Sequence, residues 1–303
     1  MKNIKGILFI AIGASSYGVL ATFVKMANNN GISTGILTIS QYFIGFVLLF
    51  IAAKMFEKRS QVNQGETLNS ASIKRDSKMK LVLYGTSLGF TSSFYYLSIQ
   101  YLPVSVGIIL LMQSIWIGLV FEFFMARHML NKAKVIGAIT TIFGTLLAVN
   151  VMEASAHIEW PGIVFGLMAA TTFATTMVAT NSVALHLPTI IRSKYLVLGG
   201  FLTVLIFWNI PGISDFNLQD FDLSVFLTWG LFLAFFGTLL PPLLFSKGFP
   251  LTGVGLGSIM ASLEIPVSVF SAYLLLEEQV KAIQWVGILI ILLSVVIINR
   301  NQP

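Results

Sequence analysis

Long apolar runs, separated by short polar segments, follow one another along the whole chain. Each run has about 20 residues, the length that an α-helix needs to cross a lipid bilayer. The runs are continuous and do not alternate between apolar and polar positions, which disfavours a membrane-spanning β-barrel. The pattern predicts an all-α integral membrane protein with ten transmembrane helices, at 4–26, 33–55, 81–100, 103–126, 133–152, 161–181, 188–209, 223–246, 252–276 and 282–299.

Composition excludes several classes of protein. Hydrophobic residues make up 56% of the 303 residues and charged residues 10%, whereas soluble domains have about 25% charged residues. A soluble enzyme, a nucleic-acid-binding module and a disordered chain do not fit, and the absence of cysteine excludes a disulfide scaffold. HExxH and phosphate-binding GxxxxGK[ST] motifs are also absent. We expect no enzyme activity, cofactor or metal site, and a lipid bilayer and a small-molecule substrate as partners, with no nucleic acid and no obligate protein partner.

The basic residues indicate how the chain lies in the membrane. With the N-terminus in the cytoplasm, 16 of the 18 lysines and arginines fall on the cytoplasmic side, and Lys25 and Lys281 fall outside. This bias follows the positive-inside rule and predicts a multi-pass protein of the cell membrane with both termini cytoplasmic. The polar segment 57–80 is expected to be a mobile cytoplasmic loop. It can act as a solvated linker that helps set the topology or can bind anionic lipid headgroups.

The two halves of the chain resemble each other. Residues 5–18 align with 161–174, and residues 103–118 align with 253–268. Each copy, 4–152 and 160–300, would hold five helices, so the second copy enters the membrane from the opposite side. Inverted repeats of this kind are typical of secondary transporters with a site near the midplane. The alternative is a duplication that only enlarged a membrane scaffold.

A motif near the end of the second copy resembles a known family. The segment 262–287 contains Leu263, Glu264, Pro266, Glu278, Gln284 and Gly287, which are similar to that family's closing pattern, with Pro266 one place later than in its commonest form. On these residues the chain resembles the EamA family of the drug/metabolite transporter superfamily, with two EamA repeats over nearly the whole chain. The resemblance implies a ten-helix carrier that moves small metabolites or drugs, often outward. The first copy departs from the motif, with Ser114 opposite Glu264 and His128 opposite Glu278.

Glu264 is the most informative candidate site residue. It lies about 11 residues into its span, or about 16 Å deep, close to the membrane midplane. An ionisable group there would avoid lipid, since it costs at least about 2.5–3.5 kcal/mol. It shares one face of its helix with small residues, which can line a cavity or allow close helix contact. Glu264 could therefore bind a substrate amine or couple a proton, or it could be a structural hydrogen-bonding group.

Other polar and aromatic side chains on four predicted helices are candidates for substrate binding. Each has an alternative: Lys25 could attract a carboxylate or anchor its helix at the interface, and Trp116 could stack on a cation or pack between helices. Hydroxyl groups could solvate a ligand or bond to carbonyls of their own helix. The set comprises Ser15, Gly18, Lys25, Ser92, Tyr96, Gln113, Trp116, Thr171 and Thr172.

Three prolines are candidates for gating bends or static kinks. Pro241 and Pro242 lie inside the eighth predicted span and Pro266 inside the ninth. Each proline lacks a backbone N–H and leaves a helical carbonyl without its usual donor.

The predicted function is secondary transport of a small metabolite by alternating access, through a cavity built from spans one, three, four, six, eight and nine. Export and proton coupling fit this reading, and an amino acid or similar polar solute fits a site with Glu264 and a distant Lys25. One alternative is export of hydrophobic cations or drugs. The other is a non-transporting membrane scaffold or sensor.

Overall fold

The structure is a computed structural model, described here for residues 2–64, 75–102, 104–126, 132–148, 159–210, 223–277 and 281–300. Within these ranges all regular elements are helical, which confirms the predicted all-α class. In chain order the helices are α1 Lys2–Gly18, α2 Leu20–Asn29, α3 Thr34–Gln64, α4 Arg75–Tyr101, α5 Val104–Met112, α6 Ser114–Ala126, α7 Lys132–Ala148, α8 Trp160–Ser182, α9 Thr189–Trp208, α10 Leu223–Thr252, α11 Val254–Ala261, α12 Glu264–Leu275 and α13 Ala282–Arg300.

Seven helical segments in the described part of the chain are long and apolar enough to cross a membrane. They coincide with seven of the ten predicted spans, and two further apolar helices, Val135–Gly144 and Ala282–Leu293, are shorter. The third predicted span corresponds to α4, which is long but is not among the seven. The seven are Ile4–Asn29, Thr34–Arg59, Val106–Phe124, Trp160–Ser182, Thr189–Trp208, Leu223–Thr252 and Val254–Leu275.

The structure differs from the predicted loop over residues 57–80. Helix α3 continues to Gln64 and α4 begins at Arg75, while residues 65–74 lie outside the described ranges. The polar ends of both helices are rich in glutamate, lysine, arginine and glutamine, which favour helix without requiring an apolar environment. Asp76 in the first turn of α4 also suits the positive end of the helix dipole.

Three of the predicted spans contain a short irregular turn, called a break below, within one long helical segment. The breaks lie at Val19 in the first span, at Gln113 in the fourth, and at Ser262 and Leu263 in the ninth, and the backbone at Val19, Ser262 and Leu263 keeps right-handed helical angles. In the ninth, Pro266 has no N–H to donate to the Ser262 carbonyl, which instead accepts a tighter bond of 3.0 Å from the Ile265 N–H. Gln113 and Leu263 occupy equivalent positions of the two sequence repeats, so the fourth and ninth spans break at the same place.

Helix α10 carries the Pro241–Pro242 pair without a break. The turns before the prolines, Ala234–Leu239, are π-helical, and α-helical turns follow from Leu240. Prolines leave carbonyls of the preceding turn without their usual donors, and neighbouring side chains can satisfy such groups. The Ser16 hydroxyl donates to the Phe236 carbonyl at 2.6 Å, which serves one carbonyl of the π-helical segment.

Each of the main contacts between helices has an equivalent contact, in which both helices are replaced by the matching helices of the other half of the chain. Helix α1 packs on α10 and on α12, and the equivalent α8 packs on α4 and on α6. Likewise α3 packs on α10 while α9 packs on α4. The pairs α3 with α9 and α7 with α13 are their own counterparts. The two halves therefore interdigitate and bury a shared core.

Hydrogen bonds show that α8 runs antiparallel to α4. Ser87 bonds Thr176 at 2.7 Å near one end of this pair, and Ser98 donates to the Gly162 carbonyl at 2.7 Å near the other. The equivalent pair, α1 with α10, is also antiparallel, because Gly6 lies against Leu251 and Ser16 against Phe236.

Candidate functional site

A cavity lies where helices of the two halves meet. It encloses about 410 Å³ of space between its lining atoms, including its mouth. Helices α1 and α2 contribute to it, α4 supplies half of the lining, and α5, α8 and α12 contribute one residue each. The lining residues are Tyr17, Leu20, Leu88, Thr91, Ser92, Tyr95, Tyr96, Leu111, Phe173 and Glu264.

Glu264 lies in the wall of this cavity, directly after the break in the ninth span. It is the first residue of α12 and is only 4% exposed. Its Oε2 atom is buried and has no hydrogen-bond partner in the described part of the chain. A buried carboxylate without a partner is costly, so this side chain requires a proton or a cation.

Gly18 brings the first span close to this carboxyl group. A Cβ atom added at Gly18 would lie 2.7 Å from the Glu264 backbone oxygen and 2.8 Å from the Val267 Cβ atom. The breaks at Val19 and at Leu263 thus lie side by side.

The hydroxyl groups of α4 are mostly committed to neighbouring helices. Tyr96 donates to the Gln41 side-chain oxygen at 3.0 Å, and Ser92 bonds the Tyr42 hydroxyl at 2.7 Å. These bonds fix the ring of Tyr96 and the position of Ser92 at the cavity wall.

Tyr95 differs from the other polar residues of the wall. Its hydroxyl is buried and has no partner in the described residues, although its side chain is only 6% exposed. By contrast Thr91 donates to the Ser87 carbonyl at 2.7 Å and to Thr172 at 3.0 Å. Tyr95 and Glu264 are therefore the two lining side chains in the described chain with a fully buried polar atom that lacks a partner.

Aromatic rings close the end of the cavity that faces the start of α1. Tyr17 meets Phe173 edge-on with ring centres 6.2 Å apart, and meets Phe245 at 5.6 Å. Phe249 continues the cluster at 5.3 Å from Phe245. Such edge-to-face contacts pack densely without polar groups.

Beyond the rings, Arg192 holds three helices together at the same end of the bundle. This side chain is 2% exposed, and its guanidinium donates to backbone carbonyls of Thr180, Val183 and Ser246. Thr180 lies in the last turn of α8 and Val183 follows it, where carbonyls lack helical partners and the dipole is negative. The Arg192 side chain therefore links the ends of α8, α9 and α10.

The opposite end is held by fewer polar contacts. Thr22 and Ser271 bond at 2.9 Å between the first and ninth spans. Lys25 donates to the Ile99 carbonyl at 3.4 Å, which is a long hydrogen bond. Lys25 does not line the cavity.

The structure brings some of the predicted site residues together and separates others. Glu264, Ser92 and Tyr96 line the cavity, and Gly18 lies directly beside it. The remaining six predicted binding residues do not line it: Ser15, Lys25, Gln113, Trp116, Thr171 and Thr172.

Trp116 and Thr171 illustrate why these positions lie elsewhere. The Trp116 indole donates to Gln113 on its own helix at 2.9 Å, and the side chain is 46% exposed on the bundle surface. Thr171 is exposed and donates to the Leu167 carbonyl of its own helix at 3.0 Å. Both side chains point away from the cavity that contains Glu264.

Metal binding finds no support in the described part of the chain. No group of three or more His, Cys, Asp or Glu side chains lies close enough to hold a metal ion there.

Comparison with known proteins shows which proteins share this fold or resemble the sequence. A crystal structure of a protein 15% identical in sequence superposes with a TM-score of 0.72, covering 99% of this chain and 97% of that one, which shows a shared fold. An uncharacterized transporter of Bacillus subtilis (strain 168), YetK, is 27% identical over 195 residues. The match covers 61% of this chain and 57% of that protein, so the chain aligns with little more than half of that relative.

The family model of the EamA-like transporter family matches twice, over residues 4–150 and 160–300. These two matches cover nearly the whole chain and correspond to its two sequence repeats. The chain is thus a multi-pass membrane protein that belongs to the EamA-like transporter family.

Proposed function

We propose that this protein is a secondary transporter that moves a small organic solute through the cavity around Glu264 by alternating access. The observation that carries the proposal is the buried carboxyl group of Glu264, which has no protein partner in the described chain and faces a cavity between the two halves. An ionisable group at membrane depth is energetically costly, so its presence there indicates a functional site.

The proposed topology has ten spanning helices in two inverted five-helix repeats, with both termini in the cytoplasm of a cell-membrane protein. The antiparallel pairing of α8 with α4, and the exchange of contacts between halves, support inversion. The distribution of lysine and arginine supports the cytoplasmic location of the termini.

Alternating access requires each end of the cavity to open in turn. In the proposed topology, the Arg192 contacts and the aromatic rings around Phe245 close the cytoplasmic end. Opening that end would break the bonds from Arg192 to α8 and α10. The outer end is held by the weaker Lys25 contact and by the Thr22–Ser271 pair.

Glu264 would bind the solute's cationic group or a proton in each cycle. A carboxyl group without a protein partner can exchange one for the other, which would couple outward movement of solute to inward movement of protons. The export direction and the coupling are both part of the proposal.

An untargeted comparison of extracellular solutes tests the proposal. Cells that produce the protein are compared with cells that produce Glu264→Gln at the same membrane level. We expect at least one solute to accumulate outside only with the unaltered protein. Identical solute profiles with the protein, the variant and no protein would overturn the transporter proposal and favour a membrane scaffold or sensor.

A further inference from the structure

The cavity lining has one acidic group and no basic group among the described residues. Glu264 provides the carboxyl, and the rest of the lining is aromatic, aliphatic or hydroxyl-bearing. Lys25 is the basic residue that sequence analysis paired with Glu264, but it is bonded to the Ile99 carbonyl and lies outside the lining. The charge of the lining is therefore unbalanced towards negative whenever Glu264 is ionised.

This imbalance selects against a zwitterion. The carboxylate of an amino acid would have to leave water without a cationic partner in the cavity, and burying an unpaired charge costs several kcal/mol. The amino group alone would be matched by Glu264. A solute with a positive charge and no carboxylate avoids this cost.

The hydrogen-bond inventory selects against a polyhydroxylated solute. The hydroxyls of Thr91, Ser92 and Tyr96 are already bonded to neighbouring helices. Among the described lining residues, Tyr95 and Glu264 hold a fully buried polar atom without a partner, and Tyr17 adds one further hydroxyl. A sugar would lose many more bonds to water than these three groups can replace.

The rings around the carboxyl group suit an apolar body and a cation. Tyr17, Tyr95, Tyr96 and Phe173 all line the same space. Aromatic faces attract organic cations, and the attraction increases when water is excluded.

We propose that the transported solute is a lipophilic organic monocation, an amine or ammonium on an aromatic or aliphatic body, bound with its charge at Glu264. This inference rests on the proposed transport function and names its substrate class. It differs from the expectation that an amino acid binds between Glu264 and Lys25, because Lys25 lies outside the cavity lining.

Three matched ligands test the substrate class with the purified full-length protein in lipid nanodiscs. Phenethylamine carries the cation, phenylalanine adds a carboxylate to the same skeleton, and 2-phenylethanol lacks the charge. We expect phenethylamine to bind at least about tenfold more tightly than either analogue, as a charge-assisted bond adds about 1.5–3 kcal/mol. Benzyltrimethylammonium, a permanent cation, is expected to bind as well.

Variants locate the binding. Glu264→Gln is expected to weaken phenethylamine binding at least about tenfold and to leave 2-phenylethanol binding within about twofold. Glu264→Asp, which keeps the charge, is expected to restore part of the affinity and guards against a folding defect in the first variant. Phenethylamine is also expected to protect Ser92→Cys from a maleimide.

The outcomes separate this inference from the proposed function. If neither cation binds, or if phenylalanine binds as tightly as phenethylamine, the substrate class is overturned. In that case a solute difference in the extracellular comparison would still support transport. Identical extracellular profiles, in contrast, would remove the transport function even if phenethylamine binds.

Discussion

The break between α5 and α6 and the break between α11 and α12 occupy equivalent positions of the two halves, yet they differ in chemistry. Ser114 follows the first break, is fully buried, and has a hydroxyl without a partner in the described chain. Glu264 follows the second break and lines the cavity. Duplication thus repeated the helix geometry, whereas an ionisable group stands at only one of the two positions.

The first turns of α3 and α9 show the same asymmetry. Helices α3 and α9 begin at Thr34 and Thr189, so Leu37 and Arg192 are both fourth in their helices. Leu37 is fully buried in the apolar core, while Arg192 links three helix ends through backbone carbonyls. The two ends of the bundle are therefore closed by contacts of unequal strength.

The largest effect is expected from removing the carboxyl group of Glu264. Removing the hydroxyl of Ser114 at the equivalent position is the matched control. Glu264→Ala should lower phenethylamine counterflow in proteoliposomes about 10- to 100-fold, because the cation loses a charge-assisted bond. Ser114→Ala should stay within about twofold, since its hydroxyl faces no ligand. Equal losses in both variants would contradict a site confined to the second break.

Removing the polar link at one bundle end should change access to the cavity. Arg192→Met removes the bonds that join α8, α9 and α10, so we expect the cytoplasmic end to open more often. The labelling rate of Ser92→Cys by a maleimide trapped on that side should rise at least about tenfold. Leu37→Met, a volume-conserving change in the first turn of α3, should leave the rate unchanged. An unchanged rate in Arg192→Met would show that this residue does not hold the end closed.

A methyl group at the crossing of the two broken helices should destabilise the protein. In Gly18→Ala the added Cβ meets the Glu264 backbone oxygen at 2.7 Å, and we expect a loss of about 1–3 kcal/mol in unfolding free energy. Gly118→Ala is the matched control, because its nearest neighbour would be an ordinary 3.4 Å away. Equal stability of the two variants in detergent unfolding would argue against this close approach. The equivalent of Gly18 in the second half is Ala174, a position that already accommodates a methyl group.

The smallest effect distinguishes two adjacent tyrosines of the cavity wall. Tyr96→Phe removes the bond to Gln41 and should lower the free energy of unfolding by about 1 kcal/mol. Tyr95→Phe removes a hydroxyl that has no protein partner in the described chain, so stability should not fall. A larger loss in Tyr95→Phe would indicate that its hydroxyl is bonded within the protein.

The burial of Glu264 could be predicted from sequence because depth in an apolar run depends only on residue count. The repeats could likewise be found by alignment, and two family matches now coincide with them. Seven spans and the all-helical class also follow from the length of apolar runs.

The faces of broken helices could not be predicted in the same way. Trp116 was a candidate because it lies deep in the fourth predicted span and aligns with Pro266, but its side chain is 46% exposed on the surface of the bundle. Depth along a helix does not fix which face of the helix a side chain occupies. Tyr17 was missed as a lining residue because large aromatic side chains are also common in ordinary helix packing.

Two-sided labelling of a single cysteine tests the central claim most directly, and the cysteine-free chain makes it simple. Ser92→Cys lies in the cavity lining, and the neighbouring Ser93→Cys, at a fully buried position, is the control. In proteoliposomes, with protein orientation determined independently, an impermeant maleimide should label Ser92→Cys when supplied outside and also when trapped inside. It should label Ser93→Cys from neither side. Labelling of Ser92→Cys from one side only, or from neither, would contradict a cavity that opens alternately to both compartments.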